Sequence, residues 1–137
     1  MERITTTAAL KALRDIATEQ GLDFTYERRE IEGREGTWCV YVYDGHPDCL
    51  AGRALWRLGV TVEQLDRFNL GYPVHWLANE LALDATEEAL DALSRAQTGS
   101  DQGVEWGRAV MQAHRTVGCT LTIIDDAFVM PTDKPIV

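Results

Sequence analysis

Apolar and polar positions change period several times along this chain, and each change marks an element. Leu10, Leu13, Ile16 and Ala17 recur at helical spacing, while Lys11, Arg14, Asp15 and Glu19 take the opposite side. Thr5, Thr6 and Thr7 offer N-caps ahead of Ala8, and Gly21 offers a stop. The period then shortens. Phe24-Thr25-Tyr26-Glu27-Arg28 begins in alternation, and Thr37-Trp38-Cys39-Val40-Tyr41-Val42-Tyr43 is rich in β-branched and aromatic residues. These two runs predict an antiparallel hairpin near residues 23–43, with a polar loop from Glu30 to Gly36. Gly33-x-x-Gly36 is no phosphate loop, because it joins strand to strand and no lysine follows in place.

Asp44-Gly45-His46-Pro47-Asp48 is turn chemistry. The helix expected from about Asp48 to Leu58 carries Leu50, Ala51, Ala54, Leu55, Trp56 and Leu58 around most of its circumference. Such a helix reads as the central, buried one. Thr61-Val62-Glu63-Gln64 is a capping box opening a short helix that turns Leu65 and Phe68 inward. Asn69 to Pro73 reads as a turn, His75–Leu83 as a helix, and Thr86 as the cap of another. Thr98 to Asp101 either breaks that helix or bends it. Gly103, Trp106, Val110, Ala113 and Val117 form a further helical stripe closed by Gly118, and residues 119–124 form a strand. The segment 125–137, with Pro131 and Pro135, reads as an irregular tail. The sum is one α+β domain over residues 1–137: a small antiparallel sheet of about three strands with four to six helices.

Composition narrows the functional classes. The 137 residues are 45% apolar and 26% charged, as in ordinary globular domains. The first residues lack a basic patch followed by an apolar run, and no stretch nears the roughly 18 apolar residues of a membrane span. A cytoplasmic location, off the membrane, is therefore expected. Cys39, Cys49 and Cys119 are far apart and set in apolar surroundings, which suits free thiols. With no CxxC or HxxxH spacing, no metal site and no cofactor are expected. Asp125-Asp126 could bind Mg²⁺ at a strand end, but without a third partner it reads as a turn.

The net charge of −9 argues against nucleic acid or an anionic membrane as partner. Between Thr61 and Glu105, nine acids face only Arg67 and Arg95, so this third carries −7 of the −9. A solvated helical surface accounts for that pattern. The functional reading is an acidic face, with Glu63, Asp66, Glu80, Glu87, Glu88 and Asp91, that binds a host or partner protein of basic character. A nucleic-acid mimic is a further alternative, and would need carboxylates in two phosphate-spaced rows. Exposed strand edges at Tyr41 or Ile123 would also allow a homodimer.

The competing chemistry centres on Cys49. A cysteine opening a helix feels the positive end of its dipole, which favours thiolate. Arg53 follows one turn later and His46 precedes on the turn. An enzyme would use Cys49 as nucleophile, His46, His75 or His114 as base, and helix amides for an oxyanion. A buried structural thiol explains the same residues. Trp38, Trp56, Trp76 and Trp106, one per element, read as core.

Two motifs carry a resemblance. Gly45-x-Pro47-x-Cys49-x-x-Gly52-x-x-Leu55-x-x-Leu58-Gly59-Val60 is the first, and Ala96-Gln97 … Asp101-x-Gly103-x-x-Trp106-Gly107-x-Ala109-Val110 is the second. Together they resemble small proteins of unassigned function from actinobacteria and their phages. That resemblance implies a phage-type or accessory protein of compact fold, and it brings no reaction, ligand or partner with it.

Overall fold

Thr5 caps the first helix, α1 (Thr6–Gln20), by accepting the Ala8 amide, and Gly21 ends it at a φ of 109°. The computed structural model describes residues 2–70 and 72–130. After α1 come β1 (Arg29–Glu30), β2 (Thr37–Trp38), β3 (Val42–Tyr43), β4 (His46–Pro47), α2 (Leu50–Arg57), α3 (Val62–Asp66) and α4 (Val74–Glu80). Then follow α5 (Glu87–Asp101), α6 (Trp106–Thr116), β5 (Thr122–Ile124) and β6 (Ala127–Val129). The class is α+β, as the sequence predicts.

The strands do not form one sheet. They make three separate antiparallel ribbons, β1-β2, β3-β4 and β5-β6. The long strand expected over Thr37–Tyr43 is split in two. Its middle residue Val40 forms an isolated bridge with Leu70, and Val42 is bonded on both its amide and its carbonyl by the Asn69 side chain. Phe24 and Tyr26 belong to no strand: the first ribbon starts only at Arg29. The segment expected to be an irregular tail instead begins with a hairpin. Asp125 and Asp126 both take positive φ, as a two-residue turn demands, and lead into β6. The rest of that tail, 131–137, lies outside the described residues.

Helix α5, not α2, occupies the centre. It packs against α1, α2, α4 and α6. It runs unbroken through Thr98, Gly99 and Ser100 and ends at Asp101, so this stretch does not split it. Gly99 lets α6 come close: a Cβ there would sit 3.1 Å from the Cβ of Ala109. The start of α6 has no side-chain cap. Its Trp106 and Gly107 amides instead donate to the carbonyls of Phe24 and Leu22, both at 2.8 Å. Trp106 is fully buried there, edge-on to Phe24, with its indole N–H on Ser100. Among the described residues, no helix is long and apolar enough to cross a membrane.

Candidate functional site

Cys49 is itself the N-cap of α2. Its sulfur accepts the Gly52 amide at 3.3 Å, and its thiol donates to Gln97 Oε1 on α5 at 3.2 Å. The Gln97 amide donates in turn to Cys39 Sγ at 3.3 Å. Cys49 is completely buried. The Cys49 sulfur beside Cys39, and burial after it, push the Cys39 thiol well above its ordinary range, so Cys39 stays protonated. Gly52 is needed at this junction, since a Cβ would lie 2.5 Å from the Tyr41 carbonyl oxygen.

None of the groups proposed to activate Cys49 reaches it. His46 is exposed on β4, opposite Tyr43. Arg53 donates to the Asp48 carbonyl and to Gln20, and lies 5.1 Å from the Trp106 ring centroid. His75 faces Asp91 and Glu87, and His114 lies buried between Arg14 and the Val110 carbonyl. Cys49 therefore has a helix N-terminus around it but no base in contact, which is the geometry of a structural cap.

Asp48 also has a structural role. Its buried carboxylate accepts the Tyr26 hydroxyl at 2.5 Å and the Arg29 guanidinium in two bonds of 3.0 and 2.9 Å. Burial, reinforced by that bond, pushes the Tyr26 phenol well above its ordinary range. This node ties the β1 segment to the entrance of α2.

The surface differs around the segment that joins α3 to α4. Here Asn69 acts as a strand partner for Val42, its Oδ1 accepting the amide and its Nδ2 donating to the carbonyl, both at 2.8 Å. The buried Tyr41 donates its hydroxyl to the Tyr72 carbonyl at 2.6 Å. So fixed, the segment presents a cluster of three aromatic rings. Tyr72 and Trp76 stack with centroids 4.4 Å apart and planes 10° apart. Phe68 meets both edge-on, at 5.8 and 5.5 Å. Tyr72 is 39% exposed and Trp76 41%. Trp76 is thus not core, and neither is Trp56, which is 48% exposed on α2.

Tyr72 also walls a cleft of about 360 Å³ that runs between β2 and α5, with Trp38, Cys39, Tyr41, Ser94 and Gln97 among its lining. At its far side Arg28 and Asp101 pair at 2.7 Å. The Trp38 indole nitrogen is buried and has no hydrogen-bond partner among the described residues.

The six acids of the predicted face are divided. Asp66 lines a depression with Tyr72, Arg34 and Arg67. Glu87 and Asp91, on α5, both approach Nε2 of His75, the neighbour of Trp76, at 3.6 and 2.9 Å. Glu63, Glu80 and Glu88 are exposed on α3, α4 and α5, with no ion pair among the described residues. Three of the six therefore adjoin the aromatic cluster. The His75, Glu87 and Asp91 donor atoms lie within 4.8 Å of one another, the one grouping among the described residues with the composition to hold a metal.

Sequence reasoning missed the aromatic cluster, although its signal was present. Phe68, Tyr72 and Trp76 are spaced by four, across a turn containing Pro73. The period was hidden because Phe68 reads as inward-facing and Trp76 as part of a helix's apolar set. The metal-type grouping was invisible to spacing rules, because its donors come from two helices and lie 12 and 4 residues apart. No protein-family model, no curated protein and no solved structure matches this chain, so its site is read from its own geometry.

Proposed function

We propose that this protein is a small binding module that docks a basic segment of a partner protein on the Phe68–Tyr72–Trp76 cluster. The observation that carries this reading is the stacked, solvent-facing pair Tyr72 and Trp76, held in place by bonds from beneath. Large rings left in water cost free energy that a partner's surface recovers, and Trp and Tyr dominate binding hot spots. Their pre-ordering by Tyr41 and Asn69 lowers the entropy cost of association.

Charge selects the partner. Glu87 and Asp91 lie on the α5 side, at His75, and the whole chain carries −9. Arginine or lysine in the partner would meet both the carboxylates and the faces of the rings. The opposite edge carries Arg34 and Arg67 beside Asp66, so the partner's basic groups belong on the α5 side. The cleft behind Tyr72 offers a place for one anchoring side chain. Catalysis at Cys49 has no comparable support, because no base touches it.

The test is selection of a displayed random-peptide library on the immobilised protein. Binders enriched in Arg or Lys that release from the Trp76→Ala variant support the reading. Binders that hold equally to Trp76→Ala, or no enrichment at low and moderate salt, contradict it.

A further inference from the structure

We infer that His75, Glu87 and Asp91 form a binding site for a first-row divalent cation of the zinc class. The inference shares Glu87 and Asp91 with the docking surface but does not require a partner there, and it stands if that surface fails. Glu87 and Asp91 are one turn apart on α5, so their carboxylates leave the same helix face. His75 comes from α4 and brings its Nε2 to 2.9 Å from Asp91 Oδ1 and 3.6 Å from Glu87 Oε1. A tetrahedral ion with bonds of about 2.0–2.1 Å separates its ligand atoms by roughly 3.3–3.4 Å. The two observed separations bracket that value. All three donors fall within 4.8 Å of one another.

An ion pair between imidazolium and carboxylate is the competing use of these groups, and it leaves one contact poorly served. A single proton on Nε2 satisfies Asp91 at 2.9 Å but not Glu87 at 3.6 Å. A cation between the three uses every donor at once. One imidazole with two carboxylates suits Zn²⁺, Co²⁺ or Mn²⁺ better than Ca²⁺ or Mg²⁺, which prefer an all-oxygen shell. The side chains are half-buried to exposed, so water can complete the coordination. The bound ion would cross-link α4 to α5 beside Trp76.

The experiment is titration of chelator-treated protein with Zn²⁺, in a Cys119→Ser background that removes the exposed thiol. Calorimetry and thermal unfolding report binding, and Co²⁺ reports ligand type by its visible absorption. Expected are one Zn²⁺ per chain, a raised Tm, and Co²⁺ bands without thiolate charge transfer. His75→Ala and Asp91→Asn should each weaken Zn²⁺ at least about tenfold, while Glu35→Gln, outside the three-residue grouping, should not. Asp91→Asn keeps an acceptor for His75 and guards against a folding artefact, which circular dichroism checks in both variants. The inference is overturned if Zn²⁺ gives neither heat nor a Tm shift. It is equally overturned if either variant binds as the parent does, or if Co²⁺ shows thiolate bands that place the ion on Cys39 or Cys49.

Discussion

Tyr72 and Trp76 stack face to face on the outside of the protein, with ring planes 10° apart. Stacked pairs commonly reinforce a core; this one is open to water on its outer side. Trp76→Ala removes contacts with Phe68 and Tyr72 only at the surface, so it should cost about 1 kcal/mol or less of stability. Urea unfolding checks this. A loss of several kcal/mol would make Trp76 a folding residue and weaken the case for a docking surface.

Gly52→Ala should lose stability by a different route, a clash with backbone. The added methyl would lie 2.5 Å from the Tyr41 carbonyl oxygen, which is backbone and cannot swing away. Helix α2 must move off the Val40–Val42 segment, at about 1–3 kcal/mol. Chemical denaturation should show the loss, and a change below about 0.5 kcal/mol would contradict this packing.

The Asp48 node separates two kinds of polar loss. Tyr26→Phe deletes two hydrogen bonds, the one given to Asp48 and the one accepted from the Val40 amide, and leaves Asp48 paired with Arg29, for about 1–2 kcal/mol. Asp48→Ala strands both Arg29 and the buried Tyr26 hydroxyl, so it should cost more, about 2–4 kcal/mol. Equal unfolding midpoints for the two variants would remove the node from the account.

His114 gives a pH dependence with a definite sign. Burial holds its imidazole below the ordinary histidine range, and Arg14 beside it acts the same way against the Val110 carbonyl. The unfolded chain therefore binds the proton more readily than the folded one. Stability from this group is complete above about pH 6.5 and falls as pH drops below it toward the folded-state value. His114→Gln should flatten that part of the curve in urea midpoints measured from pH 7.5 to 5. An unchanged slope in the variant would assign it elsewhere.

The thiols should react in order of exposure. Cys119 is exposed, Cys39 half-buried and Cys49 buried. A thiol reagent at pH 8 should label Cys119 first and Cys49 only on unfolding. Fast modification of Cys49 in the native protein would revive the nucleophile reading that its neighbours do not support.

These outcomes also show what the chain's pattern could reveal. Helices α1, α5 and α6 are 11 to 15 residues long, enough turns for an apolar stripe to stand out. Their caps at Thr5 and Thr86, and the capping box at Thr61 and Gln64, are local and legible. Strands of two or three residues carry too little alternation to be delimited. The break in Thr37–Tyr43 depends on Leu70 and Asn69, nearly 30 residues away, which no local pattern registers. Cys49 was legible as a helix opener, but its lack of a base required knowing where His46, His75 and His114 turn. The acidic character of the middle third was plain in the sequence. That Asp66, Glu87 and Asp91 adjoin an aromatic cluster, while Glu63, Glu80 and Glu88 have no such neighbours among the contacts described, depends on tertiary packing.

The most direct test of the docking surface is an NMR titration of the isotope-labelled protein with two peptides of equal length, one arginine-rich and one acidic. The indole N–H of Trp76 is the reporter, and that of the buried Trp106, bonded to Ser100, is the internal reference. The account predicts that the arginine-rich peptide shifts Trp76 together with the amides of Tyr72, Glu87 and Asp91, while Trp106 and the acidic-peptide spectra stay unchanged. Shifts confined to other surfaces, or a Trp76 resonance indifferent to both peptides, would contradict it.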